Sequence, residues 1–339
     1  MCLTVSRAHR GSSVSLMHFH IDARHDGIMN GLTASIDQAD RHVTLLVVGG
    51  TGESFAGDTR TEVSGLLAGV TLGLDARFRC RWVGYPASYG PAPDLAGISY
   101  LRSVEIGVDN LRTALIRTEG PVALIGYSQG AVVIRHALRQ LADADHPAIA
   151  RVIAVGFVAD PHQPPGAVPG CAGWGVAGGG PELPSGIDYF WVGAVEDMIC
   201  NASSDSFVRD IADITPSLAV GYWGEWLSHV WTVLRHNTFQ NAGRTSLGLR
   251  QMVRDGARLV AAAREVLGYL PNTLRWGTIE VRNRRGGRHT SYAREPYRRH
   301  SLTDPYTTGC EALAAWLQVC ATFSEVGEAH EAGLRDLVA

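Results

Sequence analysis

The chain has 339 residues, 45% of them hydrophobic and 19% charged, with a net charge of −3. That is enough apolar material for one sizeable core and a smaller satellite element, and it lacks the basic excess of a nucleic-acid binder, so no nucleic-acid partner is expected. No stretch approaches the roughly 18 uninterrupted apolar residues of a membrane-spanning helix, and the start, Met1 to Arg7, has neither the charged opening nor the apolar run of a secretory signal.

Residues 1–41 are polar, His-rich and aperiodic, and are expected to form a flexible N-terminal arm. The pattern then changes. Val43 to Val48 is a continuous apolar run closed by Gly49-Gly50-Thr51-Gly52, which predicts a central parallel strand buried on both faces. A helix is expected over Glu62 to Leu74, and a second strand over Arg79 to Tyr85, stopped by Pro86. Ser99 to Arg117 carries Leu101, Val104, Ile106, Val108, Leu111 and Leu115 at helical spacing, with Gly120 as a stop. A third strand is expected over Val122 to Gly126, a helix over Gly130 to Leu141, and further strands over Arg151 to Val158, Ile187 to Val192 and Ile279 to Arg282. Thr308 to Thr322 reads as a closing helix. Strands alternating with helices predict a doubly wound, mostly parallel α/β sheet.

Residues 202–275 break the alternation. They hold no good strand and read as three helices, Ser204 to Ile214, Leu218 to Leu234 and Ser246 to Leu270. The expected organisation is therefore an arm (1–41), a sheet domain (42–201 and 276–339) and a helical linker or lid insertion (202–275). Six cysteines form no C-x-x-C pair, so no zinc ribbon or thioredoxin-type site is expected, and nothing calls for a metal or cofactor. Cys171 with Cys200 and Cys310 with Cys320 are candidate bridges, with buried free thiols as the other reading.

The sharpest motif is Gly126-Tyr127-Ser128-Gln129-Gly130, which fits G-x-S-x-G. Such a serine sits on a strained strand-to-helix turn, with small neighbours so that backbone can approach. Its hydroxyl stands at a helix N-terminus, where N–H groups and the dipole favour an oxyanion. A buried strand before it and Ala131-Val132-Val133 after it supply that context. The N–H of Gln129 is one candidate oxyanion donor; Thr51, in the glycine-rich turn after the first strand, is the other. The same turn lacks the lysine and hydroxyl of a phosphate loop.

A serine nucleophile needs a base, and the base needs an orienting acid. In this motif's setting the chain order is serine, acid, histidine. Glu196 and Asp197, after the fifth strand, both qualify, and Asp160, after the fourth, is a rival. Of the thirteen histidines, His289 and His300 follow the last strand, and the Gly286-Gly287-Arg288-His289 loop favours His289.

These residues resemble the cutinase-like serine esterases, and most closely their mycobacteriophage lysin B branch. Gly50-Thr51-Gly52-Glu53 is similar to the family's oxyanion turn, Gly126 to Gly130 to its elbow, Glu196-Asp197-Met198-Ile199-Cys200 to its acid segment, and His289-Thr290-Ser291-Tyr292 to its H-x-x-Y; Tyr85-Pro86-Ala87 also matches. The resemblance covers Val43 to about Thr322 and implies an α/β-hydrolase fold, with Ser128, Asp197 and His289 as the triad and Thr51 and Gln129 as the oxyanion hole. It also implies a Cys171–Cys200 bridge. About ninety residues, largely helical, separate Asp197 from His289, which is similar to lysin B and unlike simple cutinases.

The implied reaction is hydrolysis of the ester between mycolic acids and arabinogalactan, by an enzyme made in the host cytoplasm and acting on the cell envelope after release. No peptidoglycan-binding module is visible at the N-terminus. The alternatives are a broader cutinase or lipase on other lipid esters, a PE-PPE-type carboxylesterase, and a catalytically silent wall-binding protein. Tyr222, Trp223, Trp226 and Trp231 cluster in the helical block, as substrate-groove or packing residues. Arg282, Arg284, Arg285 and Arg288 flank His289, as an envelope contact or a solvated loop.

Overall fold

The computed structural model describes residues 42–338 except 92–93, 95, 220–222, 237–248, 271, 277–278 and 299–301; the expected arm and His300 lie outside the described residues. In chain order the elements are β1 (Val43–Val48), α1 (Ala68–Thr71), β2 (Phe78–Trp82), α2 (Tyr100–Arg117), β3 (Val122–Tyr127), α3 (Gln129–Asp143), β4 (Val152–Val158), β5 (Asp188–Val192), α4 (Phe207–Ile214), α5 (Trp223–His236), α6 (Leu249–Tyr269), β6 (Thr273–Trp276), β7 (Ile279–Arg282) and α7 (Gly309–Val338).

β1 and β3 are short runs of Val, Leu and Ile because both their faces are covered. Alternation sends Val43, Leu45 and Val47 into one apolar layer and Leu46 and Val48 into the other. In β3, Ala123, Ile125 and Tyr127 join the first layer, Val122 and Leu124 the second. Helix α2 buries Val104, Val108, Leu111 and Leu115, spaced four, three and four apart on one stripe. The Ser99 side chain caps its start by accepting the Arg102 N–H. α2 and α3 cover the second layer, and α7 covers the first with Leu313, Trp316 and Leu317. Burying a Leu or Val side chain contributes about 1.5–3 kcal/mol, so these two layers supply most of the driving force.

The five strands pair in the order β2-β1-β3-β4-β5, all parallel. The chain moves one way from β1 to β2 and the other way from β1 to β3. The strand order therefore reverses between β1 and β3, and the loops after these two strands flank the crevice where such sheets bind ligands.

Four expectations are corrected. The helix expected over Glu62 to Leu74 is only Ala68–Thr71: Gly65 takes a left-handed φ of 71°, and the Leu66 N–H is drawn to the Glu53 carboxylate at 2.7 Å instead of to a helical carbonyl. Ile279–Arg282 is not a sixth strand of the main sheet. It pairs antiparallel with Thr273–Trp276, which begins inside the stretch read as strand-free. The closing helix runs on to Val338. Finally, the Cys171–Cys200 bridge that the resemblance implied is absent: these two, with Cys310 and Cys320, are free thiols, the other reading of the cysteines. Cys310 and Cys320 sit ten positions apart on one helix, about 15 Å along its axis at 1.5 Å per residue, beyond disulfide reach. The Cys200 thiol lies 3.6 Å from the Tyr292 hydroxyl, and burial pushes it well above the ordinary thiol range. No described helix is long and apolar enough to cross a membrane.

Candidate active site

Ser128 follows β3 directly and precedes the first residue of α3. Its backbone sits at φ 51° and ψ −115°, a strained conformation for a residue with a Cβ. Two things hold it there. Its N–H donates to Val158 O at 2.9 Å, pinning the turn to the end of β4. The flanking glycines then let backbone close in: a Cβ at Gly126 would lie 2.7 Å from Gly130 O, and one at Gly130 would lie 2.2 Å from Val48 O. A strained serine between close-packed glycines, at the tip of a central strand of a doubly wound parallel sheet, is the nucleophile-elbow arrangement. The chain has the α/β-hydrolase fold.

Asp197 lies beyond β5 and is fully buried, whereas its neighbour Glu196 is exposed. Its Oδ1 accepts the Ile199 N–H at 3.0 Å. Its Oδ2 accepts the Tyr292 hydroxyl at 2.6 Å and the His289 Nδ1–H at 2.9 Å. An ionised carboxylate only accepts, so the Nδ1 proton faces Asp197 and Nε2 is left to accept. Nε2 lies 3.1 Å from Ser128 Oγ. Burial acts most strongly on Asp197 and pushes its carboxyl up; the His289 charge and the hydrogen bonds from His289, Tyr292 and Ile199 outweigh it and hold the carboxyl below the ordinary range.

His289 sits on a single 3₁₀ turn, Arg288–Thr290. Its backbone carbonyl accepts the Tyr127 hydroxyl at 2.8 Å, which ties the loop to the residue before Ser128. The Arg288–Glu295 ion pair at 2.5 Å braces the loop from outside. Arg282, Arg284 and Arg288 line a cleft of about 660 Å³ together with Asn272, Thr273, Glu280, Asn283 and Glu295.

The glycine-rich turn after β1 lies against the elbow: a Cβ at Gly50 would be 2.6 Å from the Tyr127 ring and 3.4 Å from Ser128 Cβ. Within it the Gly50 N–H donates to Glu53 Oε2 at 2.8 Å, the Gly52 N–H to Ala87 O at 2.8 Å, and the Glu53 N–H to Gly50 O at 3.1 Å. The Thr51 N–H has no acceptor among the described residues, and neither does the Gln129 N–H at the start of α3. The Gln129 side chain is a structural tie: its Nε2 donates to Ser88 O at 2.9 Å, and its Oε1 lies 3.2 Å from the Tyr85 hydroxyl, which donates to Gly49 O at 2.7 Å.

Asp160, the rival acid, is elsewhere occupied. It is fully buried against Arg135 at 2.6 Å and also accepts the Trp191 Nε1–H at 3.1 Å. In the helical block Trp226 Nε1–H donates to Ile214 O, a packing contact, while Trp231 is 65% exposed; Tyr222 lies outside the described residues. Sequence reading missed the parts played by Tyr127, Tyr292 and Glu53. The H-x-x-Y spacing singled out Tyr292 but gave it no partner.

The PE-PPE domain family matches residues 78–178, which take in the elbow but neither Asp197 nor His289. No curated protein matches the chain. Among solved structures it is similar to lysin B from mycobacteriophage D29, at 19% identity and a TM-score of 0.40 over 62% of this chain and 93% of that one. It is similar also to a cutinase-like protein from Cryptococcus sp., at 18% identity and 0.35 over 66% and 93%, and to an acetyl xylan esterase, at 19% identity and 0.34 over 57% and 98%.

Proposed function

We propose that this chain is a serine carboxylic ester hydrolase. The observation that carries the reading is the continuous hydrogen-bonded line from Asp197 Oδ2 through the two nitrogens of His289 to Ser128 Oγ, at 2.9 and 3.1 Å. As Ser128 Oγ bonds to the ester carbonyl carbon, its proton passes to His289 Nε2. Asp197 fixes the tautomer and stabilises the imidazolium. Thr51 and Gln129, the N–H groups left without acceptors, bind the oxyanion. The imidazolium then protonates the alcohol as its C–O bond breaks, and water repeats the cycle to free the acid.

The substrate we propose is the ester joining mycolic acids to arabinogalactan. The reading rests on the cutinase-like motifs at 50–53, 126–130, 196–200 and 289–292, and on the helices α4 to α6 placed between acid and base. The match of the PE-PPE family across the elbow favours, as a second reading, a PE-PPE-type lipolytic esterase acting on other lipid esters. Hydrolysis of p-nitrophenyl esters of increasing chain length, by wild type and Ser128→Ala, tests the reaction. Activity lost in the variant supports Ser128, and equal activity in both refutes it. Release of mycolic acid from purified mycolyl-arabinogalactan then separates the two substrate readings.

A further inference from the structure

The C-terminal turn of α6 is fastened to both halves of the acid–base pair. On the base side, the Gly287 N–H donates to Leu270 O and Asn283 Nδ2–H to Leu267 O, each at 2.7 Å. On the acid side, Gly268 runs so close to the residue before Asp197 that a Cβ there would lie 2.3 Å from Glu196 O. Tyr269, between these anchors, places its ring 5.2 Å from the His289 ring at an interplanar angle of 39°. Tyr127 meets the same imidazole at 5.0 Å and 32°. Both lie in the range of favourable tilted ring contacts. Tyr269 is 43% exposed and lines a cavity of about 290 Å³ with Asn272, Gly287, Thr290 and Ser291. Its hydroxyl has no hydrogen-bond partner among the described residues.

We propose that Tyr269 is a positioning residue for the base, acting through its ring and not its hydroxyl. The inference rests on the reading of Ser128, His289 and Asp197 as a hydrolytic relay. The ring limits rotation of the imidazole away from Ser128. It also presents a π face to the imidazolium that forms in the transition state, an interaction stronger with the charged form than with the neutral one. The helical segment thereby contributes to chemistry as well as to shape.

The test uses Tyr269→Ala, Tyr269→Leu and Tyr269→Phe in the full chain. Three quantities are read: kcat and KM on p-nitrophenyl butyrate, the rate of Ser128 labelling by a fluorophosphonate, and the melting temperature. Labelling needs the base but no particular alcohol. Tyr269→Ala is expected to lower kcat and the labelling rate about tenfold, with KM within about twofold. Leu, with bulk but no π face, should fall with Ala, and Phe should stay within about twofold of wild type. Undiminished labelling in the Ala variant overturns the inference alone. So does a loss confined to KM, a wild-type rate for Leu, or a loss for Phe as large as for Ala. If the Ala variant melts early, the Leu and Phe pair decides. Wild type that resists labelling overturns the hydrolase reading and this inference with it.

Discussion

The Tyr292 hydroxyl donates to Asp197 Oδ2 at 2.6 Å, on the same carboxylate oxygen that receives the His289 Nδ1–H. The Tyr292 oxygen in turn accepts the Ala194 N–H at 3.2 Å, so the tyrosine fastens the acid to the strand end that precedes it. Both the ionisation and the aim of Asp197 depend on this bond.

Replacing Tyr292 by Phe removes one hydrogen bond to a buried charge while keeping the ring. Such bonds contribute about 1.5–3 kcal/mol, so stability should fall by about that amount. kcat should fall roughly tenfold because the imidazole loses its fixed partner position, with KM little changed. Urea unfolding and steady-state kinetics measure the two effects. Wild-type values for both would mean the hydroxyl does nothing for Asp197.

Asp197 also makes stability depend on pH. Its folded carboxyl is held below the ordinary value by His289, Tyr292 and the Ile199 N–H, against the upward push of burial. A lowered folded value contributes stability that is fully present above the unfolded value, about 3.9 for Asp, and is lost as the pH falls through the folded value. Wild type should therefore lose stability steeply below about pH 4, and Asp197→Asn should show a shallower fall over the same window. Urea midpoints from pH 2 to 7 read the slopes; equal slopes would mean Asp197 titrates alike in both states.

The strands that carry the site were legible because burial on two faces writes itself as an unbroken apolar run, as in Val43–Val48 and Val122–Tyr127. The elbow was legible because Gly126 and Gly130 are demanded by backbone contact with Val48 and with each other. The Glu62–Leu74 stretch misled because Val63, Leu66, Leu67, Val70 and Leu74 mimic a helical stripe. They pack on the first apolar layer from turns and the single short helix α1, and the Glu53 carboxylate takes the Leu66 N–H from 13 residues away. β7 was legible as a strand at its observed bounds, but its partner β6, four residues long and too short for periodicity, was not, so the hairpin they form was missed. Glu196 and Asp197 are neighbours of the same charge and chemistry, and only the direction of their side chains separates them. Tyr269 and Tyr127 reach His289 through the fold, and no local pattern records that contact.

The turn after β1 gives a sharp kinetic prediction. A Cβ at Gly50 would lie 2.6 Å from the Tyr127 ring, with Ser128 Cβ just beyond at 3.4 Å, so Gly50→Ala must push the turn off the elbow. The Thr51 N–H rides on that turn. Losing one oxyanion donor costs about 10²–10³ in kcat, and Gly50→Ala should approach that loss with a smaller change in KM. Gly179→Ala, where a Cβ meets nothing within 4 Å, is the matched control and should be neutral. Similar kcat values for the two variants would refute the proposed oxyanion role of the Thr51 N–H.

Asp160 offers a test of which carboxylate serves the proposed base. Its Oδ2 lies 2.6 Å from Arg135 Nη2, with both side chains almost wholly buried. The Arg135 guanidinium also stacks over Phe157, 5.0 Å from the ring centroid. Removing one member of a buried pair strands the other without compensation, which costs about 3–5 kcal/mol. Asp160→Asn should therefore destabilise the fold by about that amount, yet each molecule that remains folded should turn over at a rate within about threefold of wild type, since the triad keeps all its hydrogen bonds. Denaturant titration gives the first quantity. The rate per fluorophosphonate-titrated Ser128 gives the second. A folded Asp160→Asn protein with kcat reduced by about 10⁴, the loss seen when a triad carboxylate is neutralised, would move the acid from Asp197 to Asp160.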